Sequence, residues 1–376
     1  MQKIVIACDS FKGSLTSREA GAAVERGLQR VCPDADIHVV ILSDGGEGLA
    51  EALTGCWGGD RVTLAAHDPL MRVIETSYLM AGERAVIELA AASGLPRLTP
   101  AERNPMLATT FGTGELIADA LRRGCRHIVL GAGGSATHDA GTGILQALGV
   151  RFPDQDGKEL PLGGRILGQI ARIDTSRLMP EASSCKIEVA CDVLNPMYGP
   201  QGAAHIFARQ KGADDRMIAQ LDAGLRHFAE VVERDCGIPV RTLTRAGAAG
   251  GTGGGLAGVL GASLRSGVEL VLERIGFERL IRDADLVITG EGRLDAQTLM
   301  GKAPWGVLQA GLGAGVPVVA LGGRVSDAQL LLDAGFRAVM PIQPDTIPLR
   351  QAMEPAFAME NLSRAAEAVW RSGPVR

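Results

Sequence analysis

Thirteen residues from Gly131 to Gly143, GAGGSATHDAGTG, follow the short apolar run His127 to Leu130. Five of them are glycines, with Ser135, Thr137, His138 and Asp139 standing among them. A strand that empties into a loop with so few side chains lets backbone N–H groups close on an anion, and the next helix adds its positive end. The pattern predicts phosphate binding by Gly133, Gly134, Ser135, Thr137, His138 and Asp139. The competing reading is a loop that is glycine-rich only because it turns tightly between packed elements. For His138 the two readings weigh alike, as donor to a phosphate or plain loop residue.

Phosphoryl transfer needs donors around the transferring group, carboxylates for a divalent cation and a base near the acceptor hydroxyl. Four further loops carry such groups directly after apolar runs. DSFKGS holds Asp9, Ser10 and Lys12; SDGGEG holds Asp44 and Glu47; VACDV holds Asp192; TGEGRLD holds Glu291, Arg293 and Asp295. Solubility alone does not place acids beside glycines, although any one acid could instead cap a helix or form a turn. Lys12 suits a phosphate or a substrate carboxylate as a point charge, or is an exposed loop lysine. Arg293 can clamp a carboxylate bidentately or pair with Asp295 or Glu291. Lysine is scarce, with six in the chain, and Lys12, Lys211 and Lys302 each adjoin a glycine.

Other chemistries fit less well. GAGGSA matches the G-x-G-x-x-A dinucleotide fingerprint, which keeps an NAD-dependent hydroxy-acid dehydrogenase in view. That fingerprint wants an acid about twenty positions on at a strand end, and Asp154 and Asp156 lie in a turn. The same two acids lack the later ligands of a calcium loop, so a plain turn is expected. No lysine precedes Ser or Thr, which excludes a Walker loop, and no HRD or DFG set marks a protein kinase. The remaining histidines show no metal-ligand spacing.

These loops must be positioned by strands and helices. KIVIAC reads as a buried strand, and Thr16 with Glu19 forms a capping box before a helix whose apolar residues recur at Ala20, Ala23, Val24 and Leu28. A second strand and helix follow, the opening of a parallel α/β domain with its working loops at the strands' carboxyl ends. Arg61 to Ala65, Val73 to Leu79 and Ala85 to Leu89 lie too close together for crossover helices and should pair antiparallel. Near the C-terminus DLVIT, VPVVAL and AVMPI restore the parallel pattern. The expected fold is α/β with two domains. A doubly wound, Rossmann-like parallel-sheet domain is built from both chain ends, 1–60 plus 270–376, and an inserted mixed-sheet α/β domain, 61–269, carries the antiparallel hairpins and the glycine loop.

Composition narrows the class. A chain of 376 residues with 46% hydrophobic content has room for roughly two or three domains with real cores. Net charge is −5 with mixed signs and aromatics are 3%, so nucleic acid is not an expected partner. Seven cysteines without a CxxC pair suit reduced thiols, and no secretion signal is evident, so a cytoplasmic location is expected. The longest uncharged stretch, Ala246 to Leu264, holds eight glycines and reads poorly as a membrane span. A homodimer is left open.

DSFKGSLTS, SDGGEG, GGSATHDAGTG, ACDVLNPMYGPQGAAHIFARQKGA, GAAGGTGGG and TGEGRLDAQTLMGKAP occur in an order that resembles the type I glycerate kinase family, from Asp9 to about Pro304. The resemblance implies ATP-dependent phosphorylation of D-glycerate, with 2-phosphoglycerate as product in many bacterial members, and a two-domain α/β enzyme with its site in the cleft between domains. Alternatives within this chemistry are a 3-phosphoglycerate product or another hydroxy acid as acceptor. A binding or regulatory module that has kept the fold without the chemistry is a rival of another class. This chain has Ser43 where the family commonly has Ala, and His138 where it commonly has Asn; the latter bears on nucleotide contacts. Together with the residue reading, the resemblance assigns ATP phosphates to the glycine loop. Asp9, Ser10, Lys12, Arg293 and Asp295 would bind substrate, with Lys12 and Arg293 also stabilising the transferred group. Asp192 would be the base, and Mg2+ would be shared by Asp44, Glu47, Glu291 and Asp295.

Overall fold

A computed structural model describes residues 2–344 and 346–373; the outermost residues of the expected domain range, Met1 and 374–376, lie outside them. Eleven strands run in chain order among the described residues: β1 (Lys3–Cys8), β2 (Asp36–Val39), β3 (Asp60–His67), β4 (Val73–Ala81), β5 (Arg84–Glu88), β6 (His127–Gly131), β7 (Lys186–Ala190), β8 (Ser263–Arg265), β9 (Leu286–Leu294), β10 (Val318–Val325) and β11 (Ala338–Pro341). The chain divides into two compact units, one of 1–44, 51–56 and 268–376, the other of 45–50 and 57–267. No helix among the described residues is long and apolar enough to cross a membrane.

The first unit holds a five-stranded parallel sheet in the order β11-β10-β9-β1-β2. Its central strands are apolar on both faces, as a sheet covered on both sides requires, and Ile4, Ile6, Leu286, Ile288, Val319 and Leu321 are fully buried. The helix Ser17–Gln29 starts at the expected Thr16–Glu19 capping box. Its partner is the helix Pro355–Arg371, and Gly27 makes the contact close: a Cβ there would lie 2.1 Å from the Ser363 carbonyl oxygen.

The second unit holds a six-stranded sheet, β3-β4-β5-β6-β7-β8. The β3–β4 and β4–β5 pairs are antiparallel, and β5 to β8 run parallel. The edge strand β8 has three residues, too few to carry a period in the sequence.

One expected loop is part of a sheet. Glu291 and Arg293 lie within β9, opposite Gly322 and Arg324 of β10, rather than in a loop after it. Glycines make the extension possible, because the two strands approach too closely for side chains. A Cβ on Gly290 would stand 2.4 Å from the Leu321 carbonyl oxygen, and one on Gly323 2.6 Å from that of Gly292.

Candidate active site

In the first unit the chain leaves β1 toward β2 on one side and β9 toward β10 on the other, so the β1–β9 junction is a topological switch point, where open α/β sheets bind ligands. Register sets Cys8 opposite Gly290. Asp9, Ser10, Lys12 and Glu291 therefore emerge side by side, although some 280 positions separate the strands. Asp9 is buried, and burial followed by repulsion from Asp44 pushes its carboxyl up to about 7, against the Ser10 N–H at 2.7 Å and the charge of Lys12. Lys12 Nζ bonds Asp44 Oδ2 at 2.5 Å. Burial raises the Glu291 carboxyl, while Lys302 at 3.5 Å and the Thr298 hydroxyl at 2.8 Å oppose the rise. Arg293 pairs with Asp295 at 2.9 Å, the ion-pair alternative for this arginine, and Asp295 also accepts the Gln297 N–H. Lys302 is a site residue that the sequence motifs do not single out for a role; its position beside Gly301 is the signal.

In the second unit the glycine loop leaves β6, and the loop bearing Asp192 leaves the adjacent β7, with Gly131 opposite Ala190. The segment 45–50 packs here too. Gly133 donates to the Gly45 carbonyl at 3.3 Å, and a Cβ on Gly133 would stand 2.4 Å from Gly46 Cα, so position 133 must be glycine. Among the described residues the Gly134 and Ser135 N–H groups donate to no protein acceptor. Gly134, at φ +70°, is exposed.

The end of the loop, where Thr137, His138 and Asp139 were expected to meet a phosphate, faces inward. All three are fully buried. Asp139 Oδ2 accepts from the Thr110 N–H at 2.8 Å and hydroxyl at 2.9 Å, and from Thr109 and Gly143; Oδ1 accepts from Gly141. These bonds oppose the rise that burial imposes on its carboxyl. Among the described residues neither ring nitrogen of His138 makes a hydrogen bond of normal geometry, and burial, then Lys211, hold the imidazole well below its ordinary pKa. The cause of this packing is the second glycine cluster. Gly250, at φ +69°, abuts the Thr137 carbonyl, and a Cβ on Gly255 would fall 1.8 Å from the Ala140 carbonyl oxygen. Lys211, which the sequence singles out only for its glycine neighbour, lies beneath the loop with Nζ 2.8 Å from Ser135 Oγ and 2.7 Å from the Thr137 carbonyl oxygen.

Asp192 Oδ1 accepts from the Gly267 N–H at 3.0 Å and the Ser266 hydroxyl at 3.4 Å, so the carboxylate is oriented by one backbone and one side-chain donor. Glu47 is exposed, and it raises the half-buried Glu88, whose shift comes chiefly from burial. Asp154 Oδ1 accepts the Asp156 and Lys158 N–H groups, a turn that leaves neither acid at a strand end for a ribose. Among the described residues no three acid, histidine or cysteine side chains converge as a ready metal cage. A magnesium ion in phosphoryl transfer takes one or two carboxylates and fills its shell with water and phosphate oxygens. In the first unit Asp44 and, more weakly, Glu291 repel the buried Asp9 carboxylate, a concentration of negative charge of the kind a divalent cation relieves.

The model of the glycerate kinase family matches residues 4–373. A glycerate kinase of Haemophilus influenzae is 46% identical over 343 residues, covering 90% of this chain and 91% of that protein. The glycerate 2-kinase of Escherichia coli is 42% identical over 368 residues, 97% of this chain and 96% of that one. A crystal structure provisionally assigned as glycerate kinase 2 from Salmonella typhimurium LT2 superposes with a TM-score of 0.85 at 42% identity, covering 99% of this chain and 98% of the other. Two sheets whose strand ends carry acids, a lysine and a glycine loop, matched along almost their whole length by such relatives, make this chain a member of the glycerate kinase family.

Proposed function

We propose that the chain transfers the γ-phosphoryl group of ATP to the 2-hydroxyl of D-glycerate, giving 2-phosphoglycerate. The observation that carries this reading is the polar cluster at the β1–β9 switch point, in a chain 42% identical over 97% of its length to the glycerate 2-kinase of Escherichia coli. Gly133, Gly134 and Ser135 hold the ATP phosphates, with the Gly134 and Ser135 N–H groups as donors, while Thr137, His138 and Asp139 shape the loop from behind. In the first unit Lys12, with Ser10 and Arg293, meets the carboxylate of glycerate or the transferred phosphoryl group, and Asp9 and Asp295 set the charge around them. Asp44 and Glu291, supported by Glu47 and Asp295, hold Mg2+, which supplies charge neutralisation at the phosphates when bound. Asp192 accepts the hydroxyl proton. A loose transition state asks mainly for positioning and charge neutralisation, so this carboxylate needs no large pKa shift.

Enolase consumes 2-phosphoglycerate directly and leaves 3-phosphoglycerate untouched. Coupling the reaction to enolase alone, with ATP, Mg2+ and D-glycerate, should give signal at the full rate of ADP release. ADP release without enolase signal would move the reading to a 3-kinase, and no glycerate-dependent ADP release would reject it in favour of another acceptor acid.

A further inference from the structure

We propose that Lys211 is a positioning residue for nucleotide binding: its buried ammonium draws Ser135 Oγ and the Thr137 carbonyl inward, so that the loop's donors face the phosphate anion. The inference rests on the reading of this loop as the phosphate site and assigns the device that sets its polarity.

Lys211 is 2% exposed. Burial pushes its amine down to about 7, with only Asp139 pulling the other way. Taking an ammonium out of water is costly, and an apolar side chain of similar volume would fill the same space without that cost. Among the described residues both acceptors of the Lys211 ammonium belong to the glycine loop. An ammonium can only donate. Ser135 Oγ therefore accepts a hydrogen bond from Lys211, and its own O–H must be directed elsewhere.

The Thr137 carbonyl, the second acceptor of Lys211, anchors the loop where it turns inward to the buried His138. In a trans peptide the C=O and the following N–H point in opposite directions, so a carbonyl held toward Lys211 turns the His138 N–H away from it. Upstream, left-handed Gly134 and the following Ser135 leave their N–H groups without a protein acceptor among the described residues, as in an anion-binding nest, and Lys211 fixes the Ser135 side chain beside them. Lys211 is itself held rigidly. It ends the short turn Arg209–Lys211, and the next residue, Gly212, has φ +94° with a Cβ position 2.2 Å from the Arg103 carbonyl oxygen. The turn thus cannot shift outward without breaking that approach.

The test uses the full chain and isothermal titration calorimetry with Mg–ATP and, separately, adenosine, which lacks phosphates. Lys211→Met and Ser135→Ala are compared with the unaltered protein, with thermal melts to establish folding. Both variants should weaken ATP by at least about tenfold, leave adenosine within about twofold, and raise the KM for ATP more than they lower kcat. In the double variant the two losses should be less than additive, because they remove one interaction. Weakened ATP in Ser135→Ala with normal ATP affinity in Lys211→Met would overturn the role of Lys211 and leave the loop as the phosphate site. Normal ATP affinity in both would remove the loop reading as well. Equal loss of adenosine would mean general damage and would also overturn the proposal. If Lys211→Met does not fold, Lys211→Gln takes its place; its shorter amide reaches at most one of the two acceptors, and unchanged ATP affinity in it overturns the proposal equally.

Discussion

Lys12 Nζ lies 2.5 Å from Asp44 Oδ2, which ties the loop after β1 to the segment after β2. The lysine side chain is 74% exposed. An exposed ion pair of this kind contributes about 0–1 kcal/mol to stability, so the pair is cheap to open when a ligand arrives. Lys12→Met should leave the melting temperature nearly unchanged and lower kcat/KM for glycerate by about a hundredfold, since a charge-assisted contact to the reacting groups is lost. Steady-state kinetics beside a thermal melt checks this. A large fall in melting temperature with intact kinetics would assign the residue to structure.

Asp9 links stability to pH. Its carboxyl is raised from 3.8 to about 7. Between these values the folded protein holds a proton that the unfolded chain has released, so stability falls as pH rises through this window and the cost is complete above it. Asp9→Asn removes the buried charge. The variant should gain melting temperature over the unaltered protein at pH 8 and show a smaller gain at pH 5. Equal shifts at both values would mean that Asp9 is not the titrating group.

Asp192→Asn tests the base. Asparagine keeps a side-chain oxygen to accept the Gly267 N–H, which Asp192 now binds at 3.0 Å, so the fold should survive. Turnover should drop by about 10²- to 10⁴-fold, the usual contribution of a general base, while ATP affinity stays within about twofold. Turnover close to that of the unaltered protein would remove Asp192 from the chemistry.

Gly255→Ala tests the junction of the two glycine clusters. The new Cβ would fall 1.8 Å from the Ala140 carbonyl oxygen, and backbone on both sides would have to move. A loss of about 3 kcal/mol or more is expected by urea unfolding, with weaker ATP binding as the loop shifts. Gly313→Ala is the control: Gly313 lies in the helix Ala303–Ala314 with nothing within 4 Å of its Cβ position, and alanine there should stabilise by up to about 1 kcal/mol.

Much of the fold was legible because local patterns follow local physics. Apolar runs such as KIVIAC mark strands covered on both faces, Thr16 and Glu19 mark a helix start, and the crowding of strands from Arg61 to Leu89 leaves room only for antiparallel turns. The polar loops were legible too, as acids and a lysine beside glycines after apolar runs. Their grouping was not. That β1 lies against β9, so that the Thr289 hydroxyl reaches the Ala7 carbonyl at 2.7 Å, follows from sheet order, which periodicity does not encode.

The stretch from Gly131 to Gly143 shows the division most clearly. The sequence by itself determined that the chain there must turn with little steric hindrance at the end of a buried strand, because five glycines and an apolar run admit little else. Only the tertiary structure decided that the loop faces two ways, with Gly134 exposed and Thr137, His138 and Asp139 buried against Lys211, Thr110 and the left-handed turn at Gly250. A side chain in an irregular segment takes its direction from the backbone packed against it. In this chain that backbone arrives from Gly250 and Gly255, far along the sequence from Thr137 and Ala140 and beyond the reach of any local pattern.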